Sequence, residues 1–170
     1  MTKAITIHQP YASAIMQLGK DVENRSWTTS YRGKLYIHAG KARPKSEHNL
    51  FVSQINGRLP KGFLNFDLGA VLGYCTLSDI VKDSSSKWAV LGQYHWLLTD
   101  VVKFETPVHF KGRQKLWDIY LTPDERLDHV SDIIEKIPFV DSDEIYILAA
   151  NNDLSLQVVK QKWRELNNAA

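Results

Sequence analysis

A chain of 170 residues carrying a net charge of +2, with 44% hydrophobic and 24% charged residues, is long enough to bury a real core and has the make-up of an ordinary globular protein. No apolar run approaches membrane-spanning length and MTKAITIHQP lacks the apolar core of a secretion signal, so neither a membrane anchor nor export is expected. One cysteine, Cys75 in GAVLGYCTL, excludes an internal disulfide and fits a reducing cytoplasm; on a buried strand it is a packing residue rather than a nucleophile.

AITIHQ reads as a strand, with Ile5 and Ile7 on one side and Thr6 and His8 on the other, ended by Pro10. YASAIMQLG has helical spacing at Tyr11, Ile15 and Leu18, and Gly19 is its stop. KDVENRSW follows as a short strand on which Glu23 and Arg25 share a face, and after the turn TTSYRG comes the strand KLYIHAG. Pro44, Leu50, Phe51, Ile55 and Gly57 outline a helix over PKSEHNLFVSQING, while RLPKGFLNFD is irregular. GAVLGYCTLSDIV is the longest strand signal, with glycines that suggest a bulge. KDSSSK is a loop, and YHWLLTDVVKF and RQKLWDIYL are two more strands joined by PVHFKG.

The remaining residues change character. Thr122 and Glu125 in TPDE form a capping box, followed by the stripe Leu127, Val130, Ile134, Ile137 and a stop at Pro138. EIYILAA reads as a short buried strand or extended run, and Leu156, Val159, Trp163 and Leu166 mark a last helix. The chain is therefore read as α+β: a small mixed β-barrel with inserted helices over residues 1–121, then an α-helical extension over residues 122–170. Charge follows the same division. Residues 1–65 hold ten Lys and Arg against three Asp and Glu, residues 66–121 six of each, and residues 122–170 five basic against ten acidic. A basic front half suits a polyanionic partner.

The histidines are scattered, with no pair at metal-binding spacing, and Walker, Rossmann and G-x-S-x-G patterns are absent; neither metal nor cofactor is expected. Polar and aromatic residues concentrate in ITIHQPYA, KDVENRSW and FKGRQKLWDI. Lys20, Glu23 and Arg25 are the densest charge cluster, in which the glutamate can orient two cations, accept a hydrogen bond or act as a base; the alternative is a solvated ion pair of little consequence.

The first 121 residues resemble the ASCH domain, a family similar to the PUA domains. Its hallmark G-x-K-x-x-E-x-R is matched at Lys20, Glu23 and Arg25, and the likeness extends through ITIHQPYASAI, ENRSW, YRGKLYIHAGK and HFKGRQKLWDI. One position departs: the hallmark glycine falls on Leu18, with the glycine itself at Gly19. The resemblance implies a PUA-like barrel whose cleft gathers the hallmark residues and takes RNA, another nucleic acid or a nucleotide. Lys20 and Arg25 would then meet phosphate or a base edge, with Glu23 accepting from an amino group and His8 and Gln9 adding hydrogen bonds. Trp27, Tyr94, Trp96 and Trp117 are stacking candidates, although Trp96 and Trp117 also fit barrel core. Lys41, Arg43 and Lys45 would form a basic rim, and Lys111 and Arg113 flank Gly112, where a backbone can approach a ligand closely.

The resemblance leaves the class open, since the family holds both binders and enzymes. A nucleic-acid reader is the leading expectation. The alternative is a metal-independent ribonuclease with Glu23 or His8 as base and Lys20 and Arg25 as electrostatic partners, or a nucleoside-directed hydrolase. An acetylcytidine amidohydrolase is disfavoured, because Glu23 stands where that branch carries its threonine. A third class is a scaffold that meets a protein partner through residues 122–170.

Overall fold

The computed structural model describes residues 2–42, 51, 55, 59–136, 142–152 and 154–168. These divide into two compact units, Lys3–Trp117 and a second formed by Thr2 with the chain from Asp118 onward.

The first unit is built on the strands β1 (Lys3–Ile7), β2 (Val22–Arg25), β3 (Gly33–Ala39), β4 (Ala70–Val81), β5 (Tyr94–His109) and β6 (Leu116–Asp118), with helix α1 (Tyr11–Gln17) between the first two. They make one six-stranded sheet in the order β2-β5-β4-β3-β1-β6. β1 runs parallel to β3, with Ile5 opposite Ile37, while β3–β4, β4–β5 and β2–β5 are antiparallel. The expected barrel is thus a half-barrel, a curved mixed sheet ending in β2 and β6.

Period-two alternation explains the core. Ile5, Ile7, Leu35, Ile37 and Ala39 join Cys75, Leu77, Trp96 and Leu98 on one face, where Ala12, Ile15 and Met16 of α1 cover them. Each isoleucine or leucine among them contributes roughly 1.5–3 kcal/mol on burial. Tyr36 and His38 point to the opposite face and are also buried, as befits a central strand. β4 carries the expected irregularity, a register shift between Val71 and Gly73. Strand β5 is longer than the sequence suggested: it continues through Pro107, which falls within that shift, and Val108 pairs with Val71. Conversely, RQKLWDIYL contributes only the three residues of β6.

Helix α1 ends where Gly19 adopts φ +64, a conformation that glycine reaches at no steric cost. The amides of Leu18 and Lys20 then both bond the Ala14 carbonyl. The turn therefore uses the glycine at 19, one residue after the hallmark position. A second cluster, Ala14, Val22, Phe51, Phe63 and Trp88, lies beside α1 and β2. Of the helix expected over residues 44–57, Phe51 and Ile55 are described, and the Ile55 amide donates a hydrogen bond to the Phe51 carbonyl; Arg43, Lys45 and the rest lie outside the described residues.

The second unit has three helices among the described residues, α2 (Pro123–Lys136), α3 (Ser142–Asn151) and α4 (Leu156–Asn168). The capping box forms reciprocally: Glu125 N–H donates to Thr122 Oγ1 at 3.1 Å, and Thr122 N–H to Glu125 Oε2 at 3.2 Å. Val130, Ile134, Ile145, Ala149 and Val159 form its core, with Trp163 and Leu166 packed against them. Ile137 and Pro138 lie outside the described residues. EIYILAA is helical, correcting the strand expected there. Ile145 and Ala149 are buried four residues apart while neighbouring Tyr146 and Ile147 are both exposed, a pattern of period 3.6 rather than two.

Candidate functional site

Because α1 stops at Gly19, the chain brings Lys20 against the start of β2. Lys20 is only 2% exposed, and its ammonium donates to the Val22 carbonyl and to Glu23 Oε2, the latter at 2.8 Å. It also lies 5.8 Å from the centroid of the Tyr11 ring. Glu23, 8% exposed, forms an ion pair through Oε1 with Arg25 Nη2 at 3.2 Å. Arg25 sits two residues along the same strand face, and its Nη2 donates in addition to the Thr6 carbonyl on β1 at 3.0 Å. Its Nε is buried and has no hydrogen-bond partner among the described residues, although the guanidinium group is partly open to solvent. Asn24, facing the other way, fixes the strand by donating to the Trp88 carbonyl and accepting from the Val90 amide.

Two charged side chains, Lys20 and Glu23, have thus been drawn out of water, with the partly exposed Arg25 paired to Glu23 at their edge. Removing an ion from water costs several kcal/mol, returned only where geometry and hydrogen bonds are good. The field of the group extends into the core: burial, then the Glu23 charge, push the Cys75 thiol up to about 12, with Lys20 acting in the opposite sense. At that value Cys75 stays protonated and packs, as its strand position suggested.

A basic surface adjoins the group. Thr6 joins the two, since its carbonyl accepts from Arg25 while its hydroxyl donates to the Arg113 carbonyl at 2.8 Å. The alternation of β1 places Thr6 on the face opposite Ile5 and Ile7. Gly40 bonds the Ile7 carbonyl, Gly69 the Ala39 carbonyl, and Phe110 the Gly69 carbonyl, so the ends of β1, β3, β4 and β5 meet here. The surface accordingly carries exposed His8, Lys41, Lys111 and Arg113. The stem of Lys41 lies along Gly69, and the His8 ring lies beside Gly40.

Other sequence candidates have different places. Gln9 is fully buried; its Oε1 accepts from the Ser13 amide at 3.0 Å, tying down the first turn of α1, and its Nε2 donates to the Asp67 carbonyl at 3.2 Å. It is a positioning residue, its amide spent on backbone. Trp96 is completely buried and its indole N–H donates to the Trp27 carbonyl, which makes it core. Trp27 is half-buried and meets Trp96 edge to face at 4.7 Å, which leaves part of its ring open. Tyr94 is also half-buried, with Lys82 over its ring. Trp117 is buried and stacks on Phe110. The space beside Gly112 is taken by protein rather than left for a ligand: a Cβ there would stand 2.3 Å from His38 Cε1 and 2.9 Å from Thr6 Oγ1. No group of three or more potential metal ligands occurs among the described residues, and no helix is long and apolar enough to cross a membrane.

Comparison with known proteins identifies the family. The ASCH domain model matches residues 5–108, and the chain belongs to the ASCH-domain family. Human Activating signal cointegrator 1 is 35% identical over 88 residues, covering 49% of this chain and 15% of that protein. The mouse protein of the same name is 32% identical over 133 residues, covering 68% of this chain and 22% of that one. The chain therefore spans less than a quarter of the length of these relatives. A crystal structure of a mutant ZmASCH protein from Zymomonas mobilis aligns with a TM-score of 0.47 at 19% identity, over 76% of this chain and 96% of that one.

Proposed function

We propose that this ASCH-domain protein binds single-stranded nucleic acid, RNA in particular, with Lys20, Glu23 and Arg25 as the polar floor and His8, Lys41, Lys111 and Arg113 as a cationic rim. The observation that carries the reading is the buried pair itself: a fold with no ligand to hold has little reason to keep Lys20 and Glu23 out of water beside an arginine whose buried Nε has no partner among the described residues. A phosphate or base carbonyl oxygen is the acceptor a guanidinium fork suits. The half-open Trp27 ring supplies a face for an unpaired base.

Geometry favours holding over cleavage. Both Glu23 oxygens are already paired with a cation, so using this carboxylate as a base would first require breaking an ion pair.

The test is a titration of labelled single-stranded RNA at low and moderate salt, scored on gels for both shift and fragments. Wild-type protein should shift the RNA intact, and Arg25→Ala should weaken binding about tenfold, within the range for losing a charge-assisted contact. Fragments that disappear with Glu23→Gln would instead establish a nuclease, and absence of any salt-sensitive shift would end the nucleic-acid reading.

A further inference from the structure

We infer that His38 is a positioning residue for the loop 110–115, clamping it so that Lys111 and Arg113 are presented beside Arg25. What the loop binds rests on the nucleic-acid reading above; the clamp does not.

The clamp has three parts. His38 is 1% exposed and its Nε2 lies 3.0 Å from the Phe110 carbonyl. A carbonyl can only accept, so Nε2 carries the proton and neutral imidazole is left with a lone pair on Nδ1. That Nδ1 has no partner among the described residues. His95 shows what a fully satisfied counterpart looks like: its Nε2 donates to Val90 and its Nδ1 accepts from the Ser84 amide. At His38 the Gly112 backbone covers this edge of the ring, so closely that a Cβ would stand 2.7 Å from Nδ1. The second part is the Thr6 hydroxyl holding the Arg113 carbonyl. The third is the aromatic base, where Trp117 stacks on Phe110 at 5.6 Å and meets His38 edge to face at 5.9 Å.

A loop whose cationic side chains are exposed while its backbone is held at Phe110, Gly112 and Arg113 is organised before a ligand arrives, which spares the ordering cost of binding. Packing alone would not require a glycine against an imidazole edge. Thr6 gives the arrangement its direction, for its carbonyl meets Arg25 and its hydroxyl meets the loop, fixing both cationic groups to one residue of β1.

The experiment reads the clamp and the ligand separately. Amide hydrogen exchange over residues 110–115 is measured without ligand in wild type, His38→Phe, Gly112→Ala and His38→Gln; affinity for a fluorescein-labelled single-stranded RNA is then measured against salt. His38→Phe, which removes the donor, and Gly112→Ala, which forces the loop off the ring, should each speed exchange in this segment about tenfold while sparing β1. Both should weaken RNA binding and lower its salt slope by about 1.4, the value for two lost single-strand phosphate contacts. His38→Gln retains a neutral N–H donor and should restore both readouts. The double variant Lys111→Ala/Arg113→Ala should lower the slope equally without changing exchange, and adding His38→Phe to it should cost nothing more. Unchanged exchange in both His38→Phe and Gly112→Ala would overturn the clamp. Faster exchange in those variants, with RNA affinity unaffected by Lys111→Ala/Arg113→Ala, would uphold the clamp and remove RNA as what the loop holds.

Discussion

The two units bury different kinds of side chain. Among its described residues the helical unit buries hydrocarbon, Val130, Ile134, Ile145, Ala149 and Val159, together with Ser131, whose hydroxyl is returned to the Leu127 carbonyl. The sheet unit buries an equally ordinary apolar core and, beside it, Gln9, Lys20, Glu23, His38 and His95. An amphipathic bundle needs only its apolar stripe, so its charges can remain outside. A sheet that takes a lysine and a glutamate inside accepts a desolvation cost that apolar residues would avoid. That difference marks out the candidate site more sharply than sequence charge does, because the acidic tail and the basic front half are equally conspicuous as strings of letters.

The largest expected effect breaks the polar interior directly. Glu23→Ala leaves Lys20 and Arg25 without their shared carboxylate, and should lower the unfolding free energy by about 3–5 kcal/mol, measured by denaturant titration. The apolar interior is challenged by Ile134→Ala, expected to cost about 2–5 kcal/mol in the helical unit and to leave RNA affinity of the sheet unit unchanged. Thr122→Ala removes one half of the capping box and should cost about 0.5–2 kcal/mol, again confined to the helical unit.

Acid sharpens the comparison with a smaller effect. Burial holds His38 below its ordinary value of 6.5, the Phe110 carbonyl opposing and the Lys41 charge adding to the depression. The other groups against the ring, Thr6, Gly112 and Trp117, are uncharged. The folded protein therefore takes up this proton less readily than the unfolded chain, so the contribution of neutral His38 is complete above the ordinary value and declines as pH falls below it. Melting curves from about pH 7 to about pH 5 should show a loss of stability that is smaller in His38→Gln, which does not titrate. An equal loss in both proteins would mean that His38 does not contribute.

Much of this was legible in the sequence, and the reasons differ by residue. The strands ITI and KLYIHA announce themselves by alternation, and TPDE by cap chemistry, because those signals are local. Lys20, Glu23 and Arg25 could be grouped from their spacing on a turn and a strand, although burial, which separates a site from a solvated ion pair, is set by α1 and β1 and is invisible in eight letters. Thr6 was illegible as a junction because both its partners are distant in the chain. EIYILAA misled because a short apolar run has no decisive period until its neighbours choose a face. Gly112 was correctly marked as a point of close approach, with the wrong neighbour: the imidazole of His38 fills the space assigned to a ligand.

The most direct test of the central claim, that these charges are buried for a ligand and not for the fold, is the double variant Lys20→Met/Glu23→Leu, followed in parallel by denaturant unfolding and by RNA titration. Buried ion pairs replaced by apolar residues of similar volume are often neutral or stabilising, by up to about 4 kcal/mol. The variant should be at least as stable as wild type and should no longer bind RNA. A stable variant that still binds with wild-type affinity and salt dependence would contradict it, since the buried group would then be neither the binding floor nor a requirement of the fold.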